Sequence, residues 1–383
     1  MTSANLPPAI LVTRPAQLEE AVDLICQAPL VAVDTESNSL YAYREQVCLI
    51  QFSIPQVDYL VDPLALADLS LLERIFCDPA IEKVFHAAEY DVLCLKRDYG
   101  FEFSNLFDTM VAARILGREQ VGLGALLEAE YGVQLDKRYQ RANWGQRPLP
   151  PDLLSYARLD THYLIPLSQR LRQELDKRNL ASLAHEDFER LRQINGHNGG
   201  GNNDDPMAAC WRVHGANDLS PQQAAVLAQL CQYREQMART MDRPVFKVIN
   251  DNTLLEIAQY TPHSREQLAR IQGMNEGQVR RHGARLLEAV GRGLNNPPLY
   301  PPRQERPSEA FMKRLEILRH WRKTAGEQMG VGSDVILPRD LMHALAEKDP
   351  QTAEELAQIL CDVPWRREHF GEEILRVLSK RKK

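Results

Sequence analysis

The sequence predicts an α/β domain with a mixed sheet followed by two all-α bundles, and three observations carry that prediction. In the first half, short apolar runs alternate with helix-period segments, whereas beyond residue 207 only the helical period remains. Two stretches are too polar or too Pro-rich to pack, "NGHNGGGNNDDP" (195–206) and "NNPPLYPPRQERP" (295–307), and read as linkers. The last two pieces match each other without a gap at a constant offset of 88 residues: Leu227 with Leu315, Arg234 with Arg322, Ala258 with Ala346, Pro262 with Pro350, Gly283 with Gly371, Leu287 with Leu375. The chain therefore divides into 1–194, 207–294 and 308–383.

In order along the chain, "LVAVDTE" (30–36), "VCLIQFSI" (47–54) and "VDYLVD" (57–62) read as strands. The last two are joined by the short "PQ" turn, which makes an antiparallel meander. A helix near 66–77, a strand "KVFHA" (83–87) and a helix over about 89–98 closed by Gly100 come next. Helices then follow at about 108–116, 122–131 and, opening at Pro150 and Pro151, 151–178. Each repeat copy carries a Pro-opened or Thr-capped middle helix ("TPHSREQLARI", "DPQTAEELAQIL") and an amphipathic last helix ("VRRHGARLLEAV", "HFGEEILRVL"), and so reads as a small bundle.

Composition narrows the function classes. With 44% hydrophobic and 26% charged residues over 383 positions, the chain is globular, and its longest apolar runs are far too short to span a bilayer. The start "MTSANLPPAILV" lacks a basic n-region and long apolar core, so a cytoplasmic location is expected, with no membrane partner. Seven scattered cysteines, never spaced as CxxC, argue against a disulfide framework or a thiolate zinc site and are expected to be reduced core residues. No two histidines are spaced as H-x-x-x-H, so a metal would be held by oxygen, favouring Mg²⁺ or Mn²⁺. The net charge of −6 conceals an asymmetry of −11 on residues 1–206 and +5 beyond, and the basic half could attract a polyanion.

Three places carry candidate chemistry. "LVAVDTESNSL" ends a strand with Asp34 and Glu36, two residues apart and so on one face. Like charges that close raise one another's pKa unless a cation sits between them, although a strand end running into solvent would also carry acids. "VFHAAEYDVL" places Asp91, with Glu89 as a competitor, in the first turn of the helix after a buried strand, where either acid also suits the helix dipole. "LLSYARLDTHYL" sets Tyr156 and Asp160 four apart on one helix face, a polar spot in an apolar stripe; a Tyr-to-Asp hydrogen bond at the core edge is the bland alternative.

Taken jointly, these motifs resemble the DEDD 3′→5′ exonucleases of the tyrosine branch. The resemblance places the first motif on Asp34 and Glu36, the second on Asp91 rather than Glu89, and the third on Tyr156 and Asp160. "VCLIQFS" and "LFDTMVAARIL" resemble intervening segments of the ribonuclease D family, and the two C-terminal copies resemble the HRDC domain. "ANWGQRPL" (142–149) keeps the family's Trp144, Arg147, Pro148 and Leu149 but lacks its usual acid.

The resemblance implies a ribonuclease H-like fold and hydrolysis of RNA from the 3′ end to 5′-mononucleotides, with tRNA precursors bearing 3′ extensions as substrates. It also implies two divalent ions, Mg²⁺ or Mn²⁺, held by Asp34, Glu36, Asp91 and Asp160, with Asp34 shared between them. Tyr156, too weak an acid to serve as a base at neutral pH, would orient the attacking water. Thr35, Asn38, Leu40, Trp144 and Arg147 are candidate substrate contacts, and His86, ending a buried strand, either approaches the site or is a satisfied core residue, the commoner case. Basic residues of the repeats, among them Arg280, Arg281, Arg285 and the terminal "SKRKK", could grip phosphates. The linkers and tandem modules fit a monomer. A DNA exonuclease would use the same acids, and a catalytically dead adaptor is disfavoured because all four acids and the tyrosine are present.

Overall fold

The computed structural model describes residues 8–194, 210–302 and 307–379. The first linker, 195–206, and the basic tail 380–383 lie outside the described residues. Two compact units emerge, one from residues up to Glu36, from Val47 to 194 and from 307 onward, the other from the loop 37–46 together with 210–302.

In the first unit six strands form one sheet in the order β1-β4-β3-β2-β5-β6. They are β1 (Ile10–Val12), β2 (Leu30–Ser37), β3 (Val47–Ile54), β4 (Val57–Val61), β5 (Glu82–Phe85) and β6 (Leu106–Asp108). β3 and β4 form the antiparallel hairpin expected from the sequence, with Phe52 opposite Tyr59. β2 runs parallel to β5, and β5 parallel to β6. β3 is buried along its whole length, which is why it reads as a continuous apolar run rather than an alternating one.

Strand β1 and helix α1 (Pro15–Ile25) have no counterpart in the sequence reading. α1 packs Leu18, Ala21, Val22 and Ile25 inward at helical spacing behind a Pro at its first position, a signal that was present but short. The helix expected near 66–77 shrinks to a 3-10 turn at Ser70–Leu72 and a single turn α2 (Glu73–Phe76).

α3 (Glu89–Tyr99) ends on Gly100 with φ +73, as the glycine implied. The helices α4 (Thr109–Ile115) and α5 (Leu123–Tyr131) lie within the expected spans. The single long helix expected over 151–178 is broken at Tyr163 into α6 (Pro151–His162) and α7 (Leu164–Lys177). Pro166 accounts for the break: it has no N–H for the His162 carbonyl, and its ring would collide with that carbonyl in a continuous helix. α8 (Ala181–Arg192) completes the α/β region.

The repeat is structural as well as sequential. Helices starting at Pro221, Val245, Asp251, Arg265 and Glu276 recur, each 88 residues on, at Glu309, Ser333, Arg339, Ala353 and Pro364. Even the left-handed residues that end the helices correspond, Asp242 with Gly330 and Thr261 with Asp349.

The first copy belongs to the second unit, where Asp242 accepts a hydrogen bond from the Tyr43 amide (3.0 Å) and Lys247 lies 4.0 Å from the Tyr41 ring centroid. The second copy belongs to the first unit and packs on the core of the α/β region through Val335, with Met329, Val331 and Trp365 alongside.

One expectation is overturned: Cys210 and Cys231 form a disulfide, with Cα atoms 5.9 Å apart. A reversal at Gly215, φ +88, folds the segment before Pro221 back along the helix Pro221–Met241, joining residues 21 apart that no spacing motif flags. Cys48 and Cys94 are buried and outside any disulfide, as expected, whereas Cys77 and Cys361 are exposed.

Candidate active site

β2 delivers Asp34 and Glu36 to the floor of a cleft of about 610 Å³, and α6 delivers Tyr156 and Asp160 to the same cleft from the side. One carboxylate oxygen from each of Asp34, Glu36 and Asp160 can be drawn into a group spanning no more than 4.8 Å. The strand end that could have run out into solvent is thus a half-buried acid cluster within a cleft. Apolar packing beneath it is tight, since Ala32 and Val33 of the same strand are fully buried.

Asp91 sits in the first turn of α3 but does not line the cleft. Its Oδ1 accepts both the backbone N–H (3.1 Å) and the hydroxyl (2.5 Å) of Thr35, the residue between Asp34 and Glu36. α3 is set in place by Asp108, a buried acid the sequence reading did not single out. One Asp108 oxygen accepts the Ala88 N–H (2.7 Å) at the left-handed Ala87 turn, and the other caps α4 at Val111 (2.9 Å).

The electrostatics are those of crowded acids to which no cation is ion-paired among the described residues. Burial, and after it the charge of Asp160, pushes Asp34 well above the usual carboxylate range. Glu36 is raised by burial and by Asp34, Asp160 and Asp91, and Asp91 by burial and by Asp34. Asp160 is raised to about 7 by burial and by Asp91, against the opposing effect of a hydrogen bond from the Tyr156 hydroxyl. Burial followed by the charges of Asp160, Glu36 and Asp34 drives Tyr156 upward, so its phenol keeps its proton. Gln51 adds a donor, with Nε2 3.4 Å from Asp34 Oδ2.

The remaining candidates separate. Thr35 lines the cleft, but its hydroxyl is committed to Asp91. Asn38 and Leu40 belong to the second unit; the Asn38 amide turns inward to accept the Gln46 N–H (2.9 Å), and Leu40 is exposed.

Trp144 is buried among Cys48, Leu49, Leu60 and Leu153 and lies 6.3 Å, centroid to centroid, from Tyr156. Arg147 forks both oxygens of Asp62 at 2.7 Å and donates to the carbonyls of Cys48, Trp144 and Gln146. Neither Trp144 nor Arg147 lines the cleft, and both brace the segment that backs Tyr156.

The structure brings in residues that the sequence reading missed: the stretch Glu119–Ala125, and Lys137 and Gln140 from a 3-10 turn at Lys137–Arg141. His86, for which the sequence left an approach to the site beside the commoner core reading, lines the cleft too. Its Nδ1 lies 2.9 Å from the Thr109 hydroxyl, and burial lowers its pKa to about 4, so the ring is neutral.

The donor set suits hard divalent cations. Every side chain in the cluster offers carboxylate oxygen, and the raised pKa values report mutual repulsion that a cation would relieve.

Comparison with known proteins agrees with this geometry. The 3′-5′ exonuclease family model matches residues 9–176, and the HRDC domain model matches 223–290 and 311–378. A ribonuclease D from Nitrobacter hamburgensis is 29% identical over 370 residues, covering 95% of this chain and 94% of that one. Among solved structures, Escherichia coli RNase D, an exoribonuclease involved in structured RNA processing, aligns with 98% of this chain and all of its own at 25% identity and a TM-score of 0.69. The catalytic core of RRP6 from Trypanosoma brucei covers 75% of this chain and 80% of its own, at 29% identity and a TM-score of 0.65. The chain belongs to the ribonuclease D family of 3′→5′ exoribonucleases.

Proposed function

We propose that this protein removes nucleotides singly from the 3′ end of RNA and releases 5′-mononucleotides, with two divalent ions, Mg²⁺ or Mn²⁺, held by Asp34, Glu36, Asp91 and Asp160. The observation that carries this reading is the crowded group of Asp34, Glu36 and Asp160, the first two half-buried and the third buried, with no cation paired to it among the described residues. Bound divalent ions would supply neutralisation of the phosphate charge and a lowered pKa for the attacking water.

The residues themselves do the positioning. Asp34 and Glu36 are fixed by β2, which β5 holds in parallel register, and Asp91 is clamped by Thr35. Tyr156 keeps its proton and offers the O–H as a donor, a group suited to orienting water rather than to deprotonating it. The cleft is of small-ligand size and accepts a terminal nucleotide of a frayed strand rather than a duplex.

Structured RNAs with unpaired 3′ ends, tRNA precursors above all, are the substrates this reading favours. The nuclease module occupies 1–194, with helical modules at 207–294 and 308–383, and the protein works as a cytoplasmic monomer. Among the described residues no helix is long and apolar enough to cross a membrane.

The test is digestion of a 3′-extended tRNA against a matched single-stranded DNA, with and without Mg²⁺, using Asp34→Asn as control. Metal-dependent release of 5′-mononucleotides from the RNA, lost in Asp34→Asn, is the expected outcome. Equal or faster digestion of the DNA would move the assignment to a DNA exonuclease.

A further inference from the structure

The two repeat copies share one helical frame but present different residues to their surroundings. In the second copy Arg366, 1% exposed, donates to Glu186 (3.0 Å) and Asp187 (2.9 Å) of α8 and to the Val335 carbonyl (2.8 Å) of its own module. The Trp365 amide also donates to Glu186, and Asp334 and Asp340 pair with Arg114 and Arg190 of the nuclease region. At the corresponding positions the first copy has Gln278, Gly277, Phe246 and Asn252, so it carries none of these partners. The docking face is a property of the second copy alone.

That face meets the nuclease region beside the catalytic cleft. Gly117 has φ +72, and a Cβ placed on it would run into the carbonyl oxygen of Gly330, the left-handed residue that ends the module's first long helix. A cavity of about 490 Å³ continues the seam, lined by Arg118, Glu119 and Val121 on one side and the Gly330–Val335 turn on the other. Glu119 and Val121 also line the catalytic cleft, so the short segment after Gly117 has the cleft on one side and the second module on the other.

We infer that the second helical module is a fixed wall of the catalytic cleft, which holds the Glu119–Ala125 segment in position for the terminal nucleotides. Its role is to position the cleft wall, and the buried Arg366 anchors it. A buried arginine with two carboxylate partners and two carbonyl acceptors is not a surface that opens in each cycle, because separation would strand all of them. The inference rests on the cleft being the exonuclease site.

The experiment uses the full chain and a trinucleotide RNA too short to reach a distant helical surface. Gly117→Ala forces the seam from the nuclease side. Asp334→Arg, a half-exposed change that turns the Arg114 pair into a repulsion, forces it from the module side. Gly330→Ala is the control: it carries a similar positive-φ penalty, but its Cβ meets nothing within 4 Å.

The expected result is a fall in kcat/KM for the trinucleotide of about tenfold in Gly117→Ala and at least about threefold in Asp334→Arg, mainly through KM, with faster amide exchange over 119–125. Gly330→Ala should stay within about twofold of the parent. Loss confined to long RNA, with the trinucleotide turned over normally, would overturn the inference and make the module a grip on RNA. Unchanged exchange at 119–125 in both seam variants would overturn it too. Failure of the underlying active-site reading is distinguishable, because it would appear as retained hydrolysis in Asp34→Asn whatever the seam variants do.

Discussion

Thr35 gives both its backbone N–H and its hydroxyl to the same oxygen, Oδ1, of Asp91, 56 residues further along the chain. The strand that presents Asp34 and Glu36 to the cleft therefore uses the intervening residue to clamp the acid of the second motif. Thr35→Val keeps the β-branched shape and the N–H but removes the hydroxyl bond, at a cost of about 1 kcal/mol in stability. Loosening an orienting contact of this kind raises the metal requirement by roughly 10–100-fold. Titrating activity against divalent cation checks this, and Thr35→Ser should restore the parent curve.

Asp34→Asn should reduce turnover by more than about 100-fold, since even supporting contacts at metal sites are worth up to that much. The same change should raise the melting temperature of the metal-free protein, because it removes a carboxylate that burial and Asp160 both disfavour. A variant that was inactive because it was less stable would contradict the assignment. Paired thermal melts in chelator and nucleotide-release assays in Mg²⁺ decide the point.

How much of this was legible in the sequence depends on how local each signal is. The meander, the Gly100 stop and the 88-residue repeat were readable because turn chemistry, a left-handed glycine and helical period are written in neighbouring residues. The break at Tyr163 was also written locally, in Pro166, but was outweighed by the apolar period running through both helices. Strand β1 was missed because three residues give no alternation to read.

At the site, the acids stood out because paired charges on a strand are anomalous. Lys137 and Gln140 reach the cleft through a loop whose path no residue pattern records, and the Cys210–Cys231 pairing depends on a chain reversal rather than a spacing. The segment 142–149 drew attention through Trp144 and Arg147, yet their contacts place them behind the site, a distinction only tertiary geometry makes.

Without metal, stability should fall as pH rises across the range in which the acid cluster ionises. Asp160 is raised to about 7 and Asp34 and Glu36 also lie well above their ordinary values. Below the unfolded pKa of about 4 both states are protonated. Above it the unfolded chain ionises while the folded cluster resists, so this contribution is progressively lost as pH climbs toward about 7. Melting curves in chelator between pH 4 and pH 8 should show the decline, Asp160→Asn should flatten it, and saturating Mg²⁺ should reverse it by favouring the ionised cluster.

Asp58 should matter to activity without touching the cleft. It accepts from Ser53 (2.7 Å), Arg158 (3.0 Å) and His162 (2.9 Å), tying the β3–β4 hairpin to α6, the helix that presents Tyr156 and Asp160. Burial works to raise its pKa, but the bonds from His162 and Ser53 and the charges of His162 and Arg158 outweigh that and leave it depressed. This contribution to stability is therefore present above the unfolded pKa and lost as pH falls below it. Asp58→Ala leaves Arg158 buried without its partner and should cost about 3–5 kcal/mol. Denaturant unfolding measures the loss, and kcat should fall with it because the third motif is no longer held against the sheet.

Lys137 is the cleft-lining cation closest in role to a phosphate contact. The 3-10 turn that carries it is closed by Asp136, which accepts the Arg138 N–H (3.1 Å), and is seated by Tyr139 against the Tyr156 ring, 5.6 Å between centroids. The turn thus borrows its position from the residue expected to orient the attacking water, and it brings an exposed ammonium to the rim of an otherwise acidic cleft. An anionic strand entering that cleft meets four carboxylates, so a cation at the rim favours binding while contributing little to the bond-breaking step. Lys137→Ala should raise KM about five- to tenfold with kcat nearly unchanged, and should lower the slope of log affinity against log salt by about one. Lys137→Arg should recover most of the affinity, since it restores the charge. A fall in kcat with KM unchanged would instead place the ammonium at the reacting phosphate, so single-turnover and steady-state rates measured over a salt series separate the two roles.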